Sequence, residues 1–103
     1  MIYLDNSATT KPCDACVEAM AHMLRDAWGN PSSVHQLGID AERALRAARG
    51  QVARALGAEE GRVFFTSGGT EADNWAIFGA AERLGKRGRH IVTTAVEHHA
   101  VLH

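Results

Sequence analysis

No run in this sequence is long and apolar enough to span a bilayer as a helix, so a membrane-embedded helical protein is not expected. The opening MIYLDNSATT meets Asp5 too early for the apolar stretch of a secretory leader. Cysteine is scarce. Cys13 and Cys16 are the two in the chain, too few for a disulfide framework, and without an export signal they are expected as free thiols in a reducing compartment. Neither sign of charge dominates: 11 Lys and Arg against 12 Asp and Glu leave a formal net charge of -1, without the basic surface a sequence-independent nucleic-acid binder needs. Internal repeats and low-complexity tracts are also missing. What remains is 103 residues, 46% hydrophobic and 22% charged, which predicts one soluble, cytoplasmic globular domain rather than two.

Ile2 to Leu4 is a short β-prone run stopped by the turn formers Asp5-Asn6-Ser7. Pro12 suits a first helical turn, and the spacing predicts a helix over about 13–25 with Val17, Met20, Met23 and Leu24 on one face. WGNPSS, Trp28 to Ser33, reads as a loop, because Asn30 before Pro31 is pushed out of the helical region. The longest helical pattern covers about 34–56, where Leu37, Ala41, Leu45, Ala48, Val52 and Leu56 recur at three- and four-residue steps before Gly57 ends it. Glu42, Arg43, Arg46, Arg49 and Arg54 then form its solvated face.

RVFFT, Arg62 to Thr66, reads as a buried strand, residues 70–84 as a helix, His90 to Ala95 as a second strand, and Glu97 to His103 as a helix start. Trp75, Ile77 and Phe78 read as packing residues. The order β-loop-α-β-α predicts an α/β fold with parallel strands joined by crossover helices. Such a sheet needs both faces covered, so the chain is expected to be an incomplete part of a larger fold with open apolar surface. Residues 1–103 are expected as a single partial domain, helical over about 1–60 and starting the β-α-β-α part over 61–103.

Between the predicted strand and helix lies Ser67-Gly68-Gly69-Thr70. A helix N-terminus leaves backbone N–H groups without internal partners, and two glycines let an anion approach them. Two readings compete there. One is a phosphate cradle with Thr70 adding a hydroxyl; the other is a capping box over Thr70-Glu71-Ala72-Asp73, which would occupy the same donors. The turn lacks the Gly-Lys-Ser/Thr of a Walker loop and the Gly-x-Gly-x-x-Gly of a dinucleotide fingerprint.

Four stretches occur in order: YLDNSATT (Tyr3 to Thr10), GNPSSVH (Gly29 to His35), FTSGGTEADN (Phe65 to Asn74) and EHHAV (Glu97 to Val101). Together they resemble the N-terminal quarter of the cysteine desulfurases of NifS/IscS type, a pyridoxal 5'-phosphate-dependent group within the class V aminotransferase family. The resemblance covers essentially the whole chain. It implies the large-domain fold of these enzymes, a mostly parallel seven-stranded sheet flanked by helices, in a homodimer. It implies conversion of L-cysteine to L-alanine with an enzyme persulfide, passed to a sulfur acceptor or scaffold protein for Fe–S cluster or thiolation pathways. By position, Gly69 and Thr70 fall where the family holds the cofactor phosphate, and His98 where an imidazole stacks on the pyridine ring and can move a proton. Ala8 and Thr9 would approach the substrate side, and Asn30 and His35 would lie close to the active site and dimer contact. Selenocysteine lyases and other β-eliminating class V members share parts of this pattern.

The family also uses a lysine bound covalently to the cofactor, an aspartate on the pyridine nitrogen and a mobile sulfur-accepting cysteine. Lys11 and Lys86, the only lysines, match no such position, and Cys13 and Cys16 do not match the sulfur acceptor. Residues 1–103 alone are therefore expected to be inactive. A small Cys/His metal module built on Cys13-Asp14-Ala15-Cys16 would need His98, His99 or His103, more than eighty residues away, a spacing unlike any short zinc module, so no metal site is expected. His99 and His103 stand four apart without the glutamate of a His-Glu-x-x-His protease.

Overall fold

The protein is seen in a computed structural model that describes residues 2–102. It divides into two compact units with the boundary between Val63 and Phe64.

The first unit carries α1, Asp14–Arg25, and α2, Gln36–Leu56, followed by a single 3-10 turn, Glu60–Arg62. Helix α2 starts where His35, in extended conformation, accepts the Gly38 N–H on its own ring, and it stops at Gly57 with φ 63°. That left-handed turn is closed by the Ala58 N–H to Ala53 O at 2.9 Å and the Gly57 N–H to Arg54 O at 3.2 Å, the paired bonds of a Schellman ending. The helix buries small residues, not the large ones of the apolar pattern. Gly38, Ala41, Gly50 and Ala53 are buried, whereas Leu45, Ala48, Val52 and Leu56 are exposed. Gly38 and Gly50 are small because other chain segments lie on them. A Cβ at Gly38 would stand 2.2 Å from Ser33 O, and one at Gly50 2.7 Å from a Glu60 carboxylate oxygen. The expected solvated face holds for Glu42 and Arg46, paired at 2.5 Å in water. Arg49 departs from it: its guanidinium donates to the Val63 carbonyl and anchors the chain where it leaves the 3-10 turn.

The second unit carries α3, Gly69–Leu84, and the short α4, His99–Leu102. The end of the helix expected over 97–103 falls on His103, outside the described residues. Among the described residues no strand forms, which corrects the two strands expected at 62–66 and 90–95; the β-prone run at 2–4 forms none either. Backbone at Val63 is extended, with φ -102° and ψ 119°, but a strand exists only through hydrogen bonds to a paired neighbour. No such ladder joins 62–66 to 90–95, so β-propensity there has no partner on which to act. The "buried strand" is likewise corrected: Phe64 is 66% exposed, Ile91 65% and Val92 84%. Trp75 and Phe78, expected as packing residues, are also exposed, and the Trp75 ring lies near the Phe64 ring, centroids 6.4 Å apart. A groove of about 1030 Å³, lined by Ala76, Ala80, Leu84, Gly88 and Ile91 among others, follows the C-terminal half of α3.

Candidate functional site

The glycine turn is resolved in favour of free donors. Helix α3 begins at Gly69, with Gly68 as its extended N-cap and no side chain capping it. Thr70 thus lies inside the first turn rather than at the cap, and the capping box expected over Thr70 to Asp73 does not form. Glu71 instead reaches back to Ser67, whose N–H and hydroxyl both donate to one carboxylate oxygen at 2.7 Å. This clamp satisfies the Ser67 amide and leaves the N–H groups of Gly69, Thr70 and Glu71 without an acceptor among the described residues. The Thr70 hydroxyl is also without a partner among the described residues. A Cβ at Gly68 or Gly69 would meet nothing within 4 Å, so the space over these amides is open to a ligand.

The clamp also holds the Glu71 carboxylate onto Ser67, away from the anion-attracting amides. Hydrogen bonds from the Ser67 hydroxyl and then the Ser67 amide hold the Glu71 carboxyl below its ordinary value of 4.5. A depressed carboxyl value means the clamp is fully formed above pH 4.5 and is lost as the pH falls through the lowered value. A carbon-detected NMR titration of Glu71 should therefore show a midpoint below 4.5, and Ser67→Ala should return it toward that value.

His98 belongs to the same unit. Its ring is exposed, and its Nδ1 accepts the Ala100 N–H at 3.1 Å. With Nδ1 used as an acceptor, a neutral ring carries its proton on Nε2, the nitrogen left for a ligand. His99 lies beside it, ring centroids 6.0 Å apart and edge to face.

A residue without any assigned role in the sequence joins these pieces. Asn74 donates from Nδ2 to Thr70 O at 2.8 Å and to Ala100 O at 3.3 Å. Thr70 and His98 are thereby linked through Asn74 and Ala100, since Ala100 meets Asn74 with its carbonyl and His98 with its N–H. Asn74 stands at the end of the FTSGGTEADN stretch, but a bond across 26 positions leaves no trace in local spacing. Asn74→Asp would set a carboxylate against two carbonyl oxygens and lose both bonds, costing roughly 1–3 kcal/mol. Hydrogen exchange of the 98–102 amides should then quicken by about tenfold or more, as 1.4 kcal/mol is a factor of ten.

The remaining candidates belong to the first unit. Ala8 and Thr9 sit in a turn closed by their N–H groups on Asp5 O, at 3.1 and 3.3 Å, and Tyr3 ties it by donating to Asp5 O and Thr9 O. Asn30 accepts the Ser32 N–H on its side chain at 2.9 Å and the Ser33 N–H on its carbonyl at 2.9 Å. Its side-chain oxygen is thus engaged in holding the loop. His35 caps α2 through Nδ1 to the Gly38 N–H at 3.4 Å. Among the described residues no group of three or more His, Cys, Asp or Glu could hold a metal ion. His103, named with the metal reading, lies outside them. No helix among them is long and apolar enough to cross a membrane.

The glycine turn thus opens a helix with amides that have no acceptor among the described residues, and Asn74 and Ala100 tie it to His98. The chain belongs to the aminotransferase class-V family, whose profile matches residues 2–103. Over 102 residues it is 51% identical to "Cysteine desulfurase IscS" of Methanosarcina thermophila, covering 99% of this chain and 25% of that protein. It is 53% identical to "Cysteine desulfurase" of Trichormus azollae, again over 99% of this chain and 25% of that protein. A solved structure of a NifS-like protein matches with TM-score 0.87 and 44% identity, over 98% of this chain and 28% of its own. The chain thus spans about a quarter of the length of the curated relatives it matches.

Proposed function

We propose that this chain is the N-terminal, phosphate-holding part of a pyridoxal 5'-phosphate-dependent cysteine desulfurase. The observation that carries the reading is the start of α3. Among the described residues, three backbone N–H groups and the Thr70 hydroxyl stand without partners beside two glycines where an added Cβ would meet nothing within 4 Å. A phosphate dianion suits such a donor set, through hydrogen bonds and the positive end of the helix dipole. The residues therefore fit pyridoxal phosphate: Gly69 and Thr70 would hold its phosphate, and His98 would lie on its ring. When bound, the cofactor supplies an electron sink for the substrate Cα.

The chain's own residues orient and shield. Glu71 is kept off the phosphate by Ser67, and Asn74 fixes the His98 segment relative to Thr70. His98 Nε2 is the atom that would hold or pass a proton, because Nδ1 is taken by Ala100. Ala8, Thr9, Asn30 and His35 are assigned to the substrate side. In the whole protein, the β-prone segments at 62–66 and 90–95 would pair as strands of a parallel α/β sheet, covering Phe64, Ile91 and Val92. The same reading makes the whole protein a cytoplasmic homodimer acting on L-cysteine, yielding L-alanine and a persulfide for a sulfur acceptor. The covalent lysine and the sulfur-accepting cysteine would lie in the part of the relatives this chain does not span. Purified full-length protein loaded with pyridoxal phosphate should release alanine and sulfide from L-cysteine in the presence of a thiol. Release of selenide from selenocysteine without turnover of L-cysteine would replace the desulfurase reading with a lyase one.

A further inference from the structure

Cys13 and Cys16 take no part in the site described above, yet the start of α1 brings them together. Cys13 is the N-cap of α1, extended at φ -74° and ψ 160°, and its side chain makes no capping bond. Cys16 is the third residue of the helix, and its N–H donates to Cys13 O at 3.0 Å, with Val17 N–H on the same oxygen at 3.1 Å. N-cap and third helical residue are the two positions whose side chains reach each other's backbone in a capping box, so they lie on the same side of the first turn. A rise of 1.5 Å per residue on a cylinder of radius 2.3 Å puts Cα atoms three apart at about 5 Å. That lies inside the roughly 4.4–6.8 Å a disulfide requires. Both thiols are free and exposed. Among the described residues no group of three or more His, Cys, Asp or Glu that could hold a metal ion includes them.

We propose that Cys13 and Cys16 form a redox-active dithiol that closes to an intramolecular disulfide by exchange with low-molecular-weight disulfides. One thiolate attacks a sulfur of the small disulfide, breaking its S–S bond and releasing one small thiol. The second thiolate then attacks the protein sulfur of that mixed disulfide, forming the Cys13–Cys16 bond and releasing the second small thiol. The two protein thiols are oxidised, the small disulfide is reduced, and the two thiol protons leave on the two released thiols. Helix α1 can keep its backbone throughout, because the spacing of Cα atoms three apart in its first turn already lies within the range a disulfide spans.

The full-length protein is incubated with oxidised glutathione, remaining thiols are alkylated, and the protein is digested with trypsin. Lys11 is followed by Pro12, which trypsin does not cut, so both cysteines stay in the peptide ending at Arg25. In the wild type this peptide should lack two hydrogens and carry no alkyl group. That form should exceed the glutathione adduct by about tenfold, since the second thiol is held in place. Cys13→Ser and Cys16→Ser should each stop at the mixed disulfide on the remaining cysteine. A wild-type peptide with two alkylated thiols, or with two glutathione adducts, overturns the proposal.

Discussion

Gly69→Asp in the full-length protein is expected to weaken pyridoxal phosphate binding by about a hundredfold or more while leaving the fold intact. An aspartate Cβ at this position meets no atom within 4 Å, so nothing must move to admit it. Its carboxylate, however, would sit at the free amides of the first turn of α3 and take the place of the phosphate. Losing two charge-assisted hydrogen bonds costs roughly 1.5–3 kcal/mol each. At 1.4 kcal/mol per decade, this gives about two to four orders of magnitude in the dissociation constant. For the helix the same change is favourable, because an acidic residue in the first turn stabilises it by about 0.3–1 kcal/mol. The cofactor-free variant should thus melt no lower than the wild type, though it fails to hold the cofactor through gel filtration. Gly69→Ala, with no charge, should bind within about tenfold of the wild type. If Gly69→Asp binds normally, the phosphate is held elsewhere.

Gly38→Ala should destabilise the protein, against the usual sign for a helical glycine. Alanine ordinarily gains up to about 1 kcal/mol over glycine in a helix interior. At Gly38 the added methyl would stand 2.2 Å from Ser33 O and 2.7 Å from Asn30 O, both backbone atoms. The loop from Asn30 to Ser33 must therefore lift, and overpacking of this kind costs roughly 1–3 kcal/mol. Lifting it also pulls on His35, whose ring accepts the Gly38 N–H, and so moves two substrate-side candidates at once. A lower thermal midpoint, with shifted Asn30 and His35 resonances, is the expected outcome. An unchanged or raised midpoint would show that the loop does not rest on α2.

Helices were legible in the sequence where their ends carry local chemistry. Gly57 marks the end of α2 because only a left-handed turn closes that helix, and glycine enters it most readily. Of the burial within α2, the pattern matched Ala41 alone, while Gly38, Gly50 and Ala53 lay outside it. Its regular pattern of Leu and Val points to a large-residue face, but the groups that meet are Gly38 against Ser33 and Gly50 against Glu60. Such contacts depend on which loop returns to the helix, which periodicity does not encode. The segments at 62–66 and 90–95 show β-propensity in their residue types, but pairing is a property of two segments together. At the glycine turn the Ser-Gly-Gly-Thr order allowed both a cradle and a cap. The decision rested on Glu71, which reaches back to Ser67 instead of serving a cap at Thr70, and so frees the donors. Asn74 escaped notice because its second partner, Ala100, is distant in sequence.

The most direct test of phosphate binding at the start of α3 compares pyridoxal phosphate with pyridoxal, which lacks only the phosphate, by equilibrium titration of the full-length wild type and Gly69→Asp. The wild type should prefer the phosphorylated form by about a hundredfold or more, and that preference should collapse to within about tenfold in the variant, with pyridoxal itself bound equally by both. An undiminished preference in Gly69→Asp would contradict the assignment of Gly69 and Thr70.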